Sequence, residues 1–131
     1  MIYASAAELI GNTPLMRADR FAKAYGIDAN LVVKLESRNP GGSSKDRIAL
    51  NMICRAEERG ELKPGATLIE ATSGNTGVGL GVVAAARGYR VVLTMPESMS
   101  LERRKILEAL GVTIELTDAQ RGMAGANERA E

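Results

Sequence analysis

An α/β fold with a mainly parallel sheet is predicted by three features of this 131-residue chain. Short β-branched runs alternate with longer segments of helical periodicity, the order expected of βαβ units. Three of the helical segments stop at a glycine. Polar, glycine-containing loops follow strands, which is where open parallel sheets place their ligands.

The elements follow in order. Leu31 to Glu36 reads as the first strand. Ile48, Ala49, Met52, Ile53 and Ala56 then recur at helical spacing, and Gly60 closes that helix. The turn signal Lys63-Pro64-Gly65 introduces a second strand, Thr67 to Glu70. The next helix runs from Asn75 to Arg87 and stops at Gly88. Arg90 to Met95 is the third strand. Ser100 to Leu110 is a helix with Ser100 as N-cap, Glu102 in its first turn and Gly111 at its stop. Val112 to Thr117 is the fourth strand. Gly122 to Glu131 opens another helix, with Met123 and Asn127 one turn apart and no strand after it. A fragment of a longer protein, or an unusually short member of its class, is the expectation.

Composition narrows the function classes. Seventeen Lys and Arg against 16 Asp and Glu leave a formal charge of +1, so attraction to nucleic acid or an anionic membrane is not built in. The chain has no histidine, which removes the commonest general base and every Ser-His or Cys-His pair. A lone cysteine, Cys54, excludes an internal disulfide. It is expected to be buried in the first helix and chemically idle. No stretch approaches the ~18–20 apolar residues of a membrane span, and the N-terminus lacks a signal-peptide pattern. A reducing, cytoplasmic setting is the default expectation.

Two loops carry the chemistry. The first, Ser37 to Asp46, turns on Pro40, Gly41 and Gly42 and opens a helix. Ser43 with Asp46 three residues on predicts a capping-box start, with Ser43 as N-cap. Lys45 then lies in the first turn, at the positive end of the helix dipole, where a cation is disfavoured by ~0.3–1 kcal/mol. That field favours the neutral amine a Schiff-base lysine requires. From the loop alone, a solvated lysine tolerating a small penalty is the simpler reading. The second loop, Glu70 to Gly77, sets Thr72, Ser73, Asn75 and Thr76 around Gly74 at a helix N-terminus. Free amides and hydroxyls make it an anion site for a phosphate or a carboxylate; a polar N-cap is the alternative.

The helix after this loop contains Gly77, Gly79 and Gly81, each costing ~1 kcal/mol relative to alanine. Close approach to a neighbour or ligand would offset that cost. Gly79-x-Gly81-x-x-Ala84 fits the loose dinucleotide pattern, but its glycines lie inside the helix instead of directly after the strand. The basic run Arg103-Arg104-Lys105 reads as a solvated helix face, and Met95 and Met99 as core or rim.

Together, Gly11-Asn-Thr-Pro-Leu15, Glu36 to Arg47, Thr72-Ser-Gly-Asn-Thr-Gly77, Arg87-Gly-Tyr89, Met95 to Arg104 and Gly122-Met123 resemble the N-terminal part of the cysteine synthase (O-acetylserine sulfhydrylase) family. These are pyridoxal 5'-phosphate enzymes of fold type II, and the resemblance covers the whole chain. It implies a three-layer αβα architecture like that of the tryptophan synthase β chain. Residues from about 1 to 45 would belong to the large-domain side and those from about 46 to 131 to a smaller, substrate-clasping domain. It implies cysteine synthesis from O-acetylserine and sulfide by β-elimination and β-replacement. Lys45 would form the internal aldimine with the cofactor and act as base, and Asn75 would hydrogen-bond its ring oxygen. Thr72, Ser73, Gly74, Asn75 and Thr76 would clasp the substrate carboxylate. A homodimer and serine acetyltransferase are the implied partners, with no metal, nucleic acid or membrane. Two positions depart from the family: Ser44 stands where valine is common, and Ala71 where proline is usual. The family's phosphate-cradling glycine loop and the serine near the pyridine nitrogen lie in the second half of its polypeptide, so these 131 residues alone are expected to be inactive. A cystathionine β-synthase-like enzyme is the nearest alternative. A non-catalytic fragment binding small carboxylates or an acetyltransferase tail is another.

Overall fold

The computed structural model describes residues 1–131. Its regular elements are β1 (Leu15–Arg17), α1 (Asp19–Ala24), β2 (Val32–Lys34), α2 (Lys45–Glu58), β3 (Thr67–Ala71), α3 (Asn75–Arg87), β4 (Arg90–Pro96), α4 (Leu101–Ala109), β5 (Thr113–Thr117) and α5 (Gly122–Ala130).

β3, β4 and β5 form a parallel sheet in that order, with Thr67 opposite Arg90 and Val92 opposite Thr113. The central strand is also the most apolar. Val91, Leu93 and Met95 alternate onto one face, where they pack with Ala84 of α3, Leu107 of α4 and Val112. Thr94 points the other way and donates its hydroxyl to the Ala126 carbonyl of α5 at 2.7 Å. The sheet is thus sandwiched between α3 and α4 on one side and α5 on the other, which is the three-layer αβα arrangement. α2 lies outside α3, with Ala49 and Ile53 packed on Leu80 and Val83.

The expected strand from Leu31 to Glu36 needs correction. It is shorter, and it lies outside the parallel sheet. β2 pairs antiparallel with β1, Leu15 opposite Lys34 and Arg17 opposite Val32, in a separate two-stranded ribbon. The cause lies in α2, which packs on α3 and not across the sheet, so β2-α2-β3 is not a crossover unit. β1 and α1 were not among the expected elements. Three residues and six residues are too short to show a period.

The apolar stripe of α2 is split. Ala49 and Ile53 are buried, whereas Ile48 and Met52 are each 43% exposed. Cys54 is half-buried, not buried, and accepts from Arg87 Nη2 at 3.2 Å. Met95 is fully buried and Met99 packs at the rim of the core. No helix is long and apolar enough to cross a membrane.

The three glycines inside α3 meet three different neighbours. A Cβ on Gly77 would lie 2.6 Å from Leu93 Cδ1 of β4, and one on Gly81 3.0 Å from Val112 Cγ2. A Cβ on Gly79 would lie 2.9 Å from the carbonyl oxygen of Lys45. Close packing thus accounts for all three glycines. The dinucleotide pattern falls wholly within α3, with no glycine turn directly after β3.

Candidate active site

The lysine loop is braced before α2 begins. Ser43 is not the N-cap expected of it. Ser44 holds that position without a side-chain bond, while Ser43 Oγ accepts from the Lys45 amide at 3.2 Å. Asp46 cannot close a capping box, because its carboxylate turns inward to accept from the Gly41 amide at 2.5 Å. Asp46 is fully buried, and its Oδ1 has no partner. Burial pushes this carboxyl upward, against the pull of the Gly41 amide. A Cβ at Gly41 would press on the buried Asp46 carboxylate, which is a reason for glycine there.

A polar cluster behind this loop had no role in the sequence reading. Arg47 donates through Nε to Glu36 Oε2 at 2.8 Å, and through Nη2 to Glu36 Oε1 and Thr13 Oγ1, each at 2.9 Å. Thr13 donates to Glu36 at 2.7 Å. Asn39 accepts from the Gly11 amide at 2.8 Å and donates to Glu36 and to the Ser43 carbonyl. The Arg47 guanidinium, with Thr13 and Asn39 assisting, holds the Glu36 carboxyl at about 2 instead of its ordinary 4.5. Thr13 and Asn39 are themselves buried. The cluster joins segments 23 to 34 residues apart, so no local pattern reveals it.

Lys45, the first residue of α2, is exposed. Its ammonium takes part in none of the chain's side-chain hydrogen bonds or ion pairs. The second loop ends β3 and begins α3. Thr72, Ser73, Gly74 and Thr76 are half-buried and Asn75 is exposed. The Thr72 amide continues the sheet ladder to the Thr94 carbonyl at 3.2 Å, and Thr72 Oγ1 accepts from the Gly74 amide at 3.2 Å. Gly74 is the N-cap and supplies no side-chain oxygen. The amides of Asn75 and Thr76 have no acceptor within the chain, so the positive end of α3 is open to an anion.

The two loops converge through Gly79. It lies against the Lys45 carbonyl, and Asn75 is four residues earlier, on the same face of α3. Lys45 and Asn75 therefore stand at one end of the α2–α3 interface, with Thr72 to Thr76 beside them. The basic run on α4 is not simply a solvated face. Lys105 is exposed, but Arg103 and Arg104 are half-buried. Arg103 Nη1 donates to the Ser73 carbonyl and Arg104 Nη2 to the Glu97 carbonyl. Ser73 lies in the loop between β3 and α3, and Glu97 directly follows β4.

The αβα unit thus carries an unpaired lysine at the head of α2 and free amides at the head of the adjoining α3. The chain belongs to the family described as pyridoxal-phosphate dependent enzymes, whose family model matches residues 6–131. It is 53% identical over 130 residues to cysteine synthase A of Salmonella typhi, covering 99% of this chain and 39% of that one. Among solved structures, it is similar to O-ureido-L-serine synthase, with a TM-score of 0.92 and 45% identity, covering 99% of this chain and 40% of that one. A cysteine synthase from Entamoeba histolytica is similar at a TM-score of 0.92 and 43% identity, covering 98% of this chain and 39% of that one. The chain thus spans about 40% of the length of the relatives it matches.

Proposed function

We propose that the chain forms the lysine-bearing, carboxylate-clasping part of an enzyme that makes cysteine from O-acetylserine and sulfide. The observation that carries this reading is the close approach of Gly79 to the Lys45 carbonyl, which brings the backbone of an unpaired lysine against α3 one turn from its open N-terminus. Identity above 50% with cysteine synthase A supports the choice of reaction.

The donor set fits pyridoxal phosphate: a primary amine without a partner, and an exposed side-chain amide, Asn75, at the same opening. Lys45 would hold the group through Nζ and Asn75 through its amide. When bound, pyridoxal phosphate supplies an electron sink for negative charge at the substrate α-carbon. Thr72, Ser73, Gly74, Asn75 and Thr76 bind the α-carboxylate through hydroxyls, the Asn75 side chain and the free amides. Lys45 Nζ would take the substrate's α-proton as general base. The net change would be loss of acetate from the substrate's β-carbon and bonding of sulfide to the same carbon. In this reading residues from about 46 onward belong to a smaller domain that closes on the carboxylate, and residues up to about 45 to the large-domain side. The enzyme would be a cytoplasmic homodimer, with serine acetyltransferase as a partner.

The test is the absorbance of the chain with added pyridoxal phosphate, followed by borohydride reduction and peptide mapping. Label on Lys45, lost in Lys45→Ala, is the expected result. Label spread over several lysines, or unchanged in Lys45→Ala, overturns the assignment.

A further inference from the structure

We propose that Arg103 is a positioning residue for the carboxylate-receiving loop. It fixes the Ser73–Gly74 peptide from behind and adds uncompensated positive charge near the Asn75 and Thr76 amides. This rests on the reading of Thr72 to Thr76 as a carboxylate site.

Three observations carry the inference. The Ser73–Gly74 peptide is held at both ends, its carbonyl by Arg103 Nη1 and its amide by Thr72 Oγ1 at 3.2 Å. With that plane fixed, the amides of Ser73, Asn75 and Thr76, on either side of it, are left to meet a ligand. Arg103 is itself anchored. Its amide donates to the Ser100 cap at 3.4 Å, and Leu107, one turn further along α4, lies 3.8 Å from the point where a Cβ on Gly77 would be. The guanidinium is half-buried and belongs to none of the chain's ion pairs, so no carboxylate cancels its charge. A half-buried charge is screened less by salt than an exposed one. Arg104 is the built-in control: it has the same charge on the same helix, but it donates to Glu97 at the end of β4, away from the loop.

The experiment follows the chain's amides by nuclear magnetic resonance, with and without L-serine as the carboxylate probe. Arg103→Gln is expected to speed exchange of the Gly74 amide and to weaken L-serine binding, each about tenfold, the scale of one charge-assisted hydrogen bond. Arg103→Lys is expected to restore most of the binding, and Arg104→Gln to leave both readouts at the wild-type level. The proposal is overturned if Arg103→Gln leaves the Gly74 amide and the affinity unchanged, or if Arg104→Gln reproduces its effects. Should the wild-type chain fail to bind L-serine while Arg103→Gln still frees the Gly74 amide, the loop-fixing role stands and the carboxylate reading falls.

Discussion

Gly79 is where a single methyl group would matter most. An alanine there gains about 1 kcal/mol of helix propensity but must push against a backbone carbonyl 2.9 Å away, at an overpacking cost of about 1–3 kcal/mol. Gly79→Ala is expected to lower stability by about 1 kcal/mol in chemical denaturation and to reduce borohydride-trapped label at Lys45. Glu36 contributes to the acid limb of stability, and Glu57, lowered by its bonds from Tyr89 and Arg87, acts in the same direction. The folded value of Glu36, about 2, lies below the ordinary 4.5, so the folded state binds fewer protons over that interval. Its contribution is complete above pH 4.5 and is lost as the pH falls toward 2. Asp46 runs the opposite way, because burial raises it and protonation relieves that burden. Urea titrations of wild type and Glu36→Gln at pH 2.5 and 6 should show a much smaller pH-dependent loss in the variant. Equal losses would remove Glu36 from this role. The places of Lys45 at the head of α2 and of Thr72 to Thr76 before and at the start of α3 were legible because each sits in a short glycine-marked loop. The Glu36–Arg47–Thr13–Asn39 cluster was not, because its members meet only once β1, β2 and α2 are in place.

At the level of elements, α5 depends on a polar tie. Thr94 Oγ1 is buried and donates to the Ala126 carbonyl. Thr94→Val keeps the volume but removes that tie, at about 0.5–1.5 kcal/mol, the Ala126 carbonyl keeping its donor within the helix. Hydrogen exchange across Gly122–Ala130 should then speed up while β4 stays protected; an unchanged α5 would show that apolar contacts alone dock it. α3 and α4 were readable because each has a terminating glycine and a full period, and β4 because its run of β-branched and apolar residues follows directly on Gly88 and Tyr89. Gly88 and Gly111 do end their helices with φ of 77° and 79°. β2 was assigned to the wrong sheet because a three-residue strand carries no mark of its partner. The answer lay in the packing of α2 on α3.

Across the whole molecule, burial is uneven. The buried side chains gather around β4 and the α2–α3 interface, whereas all six residues of β1 and β2 are exposed. A two-stranded ribbon of that kind has little independent stability. Native-state hydrogen exchange should therefore place β4 amides last and those of β1 and β2 among the first to exchange. Protection of the ribbon equal to β4 would mean that the chain opens as one cooperative unit. The α/β class was legible from the alternation of elements, and the layering follows from it. The division into a ribbon and a three-stranded sheet was not, since hydrophobic pattern reports burial and not which strand lies alongside.

The clamp at the head of α2 grips main chain and leaves the lysine side chain unattached. The position therefore behaves as a socket into which other amines can be fitted. In a Cys54→Ser background, Lys45→Cys alkylated with 2-bromoethylamine would place a sulfur-containing lysine analogue on the same backbone. Its amine should recover the borohydride-trapped label that Lys45→Cys loses, whereas alkylation with iodoacetamide, which adds no amine, should not.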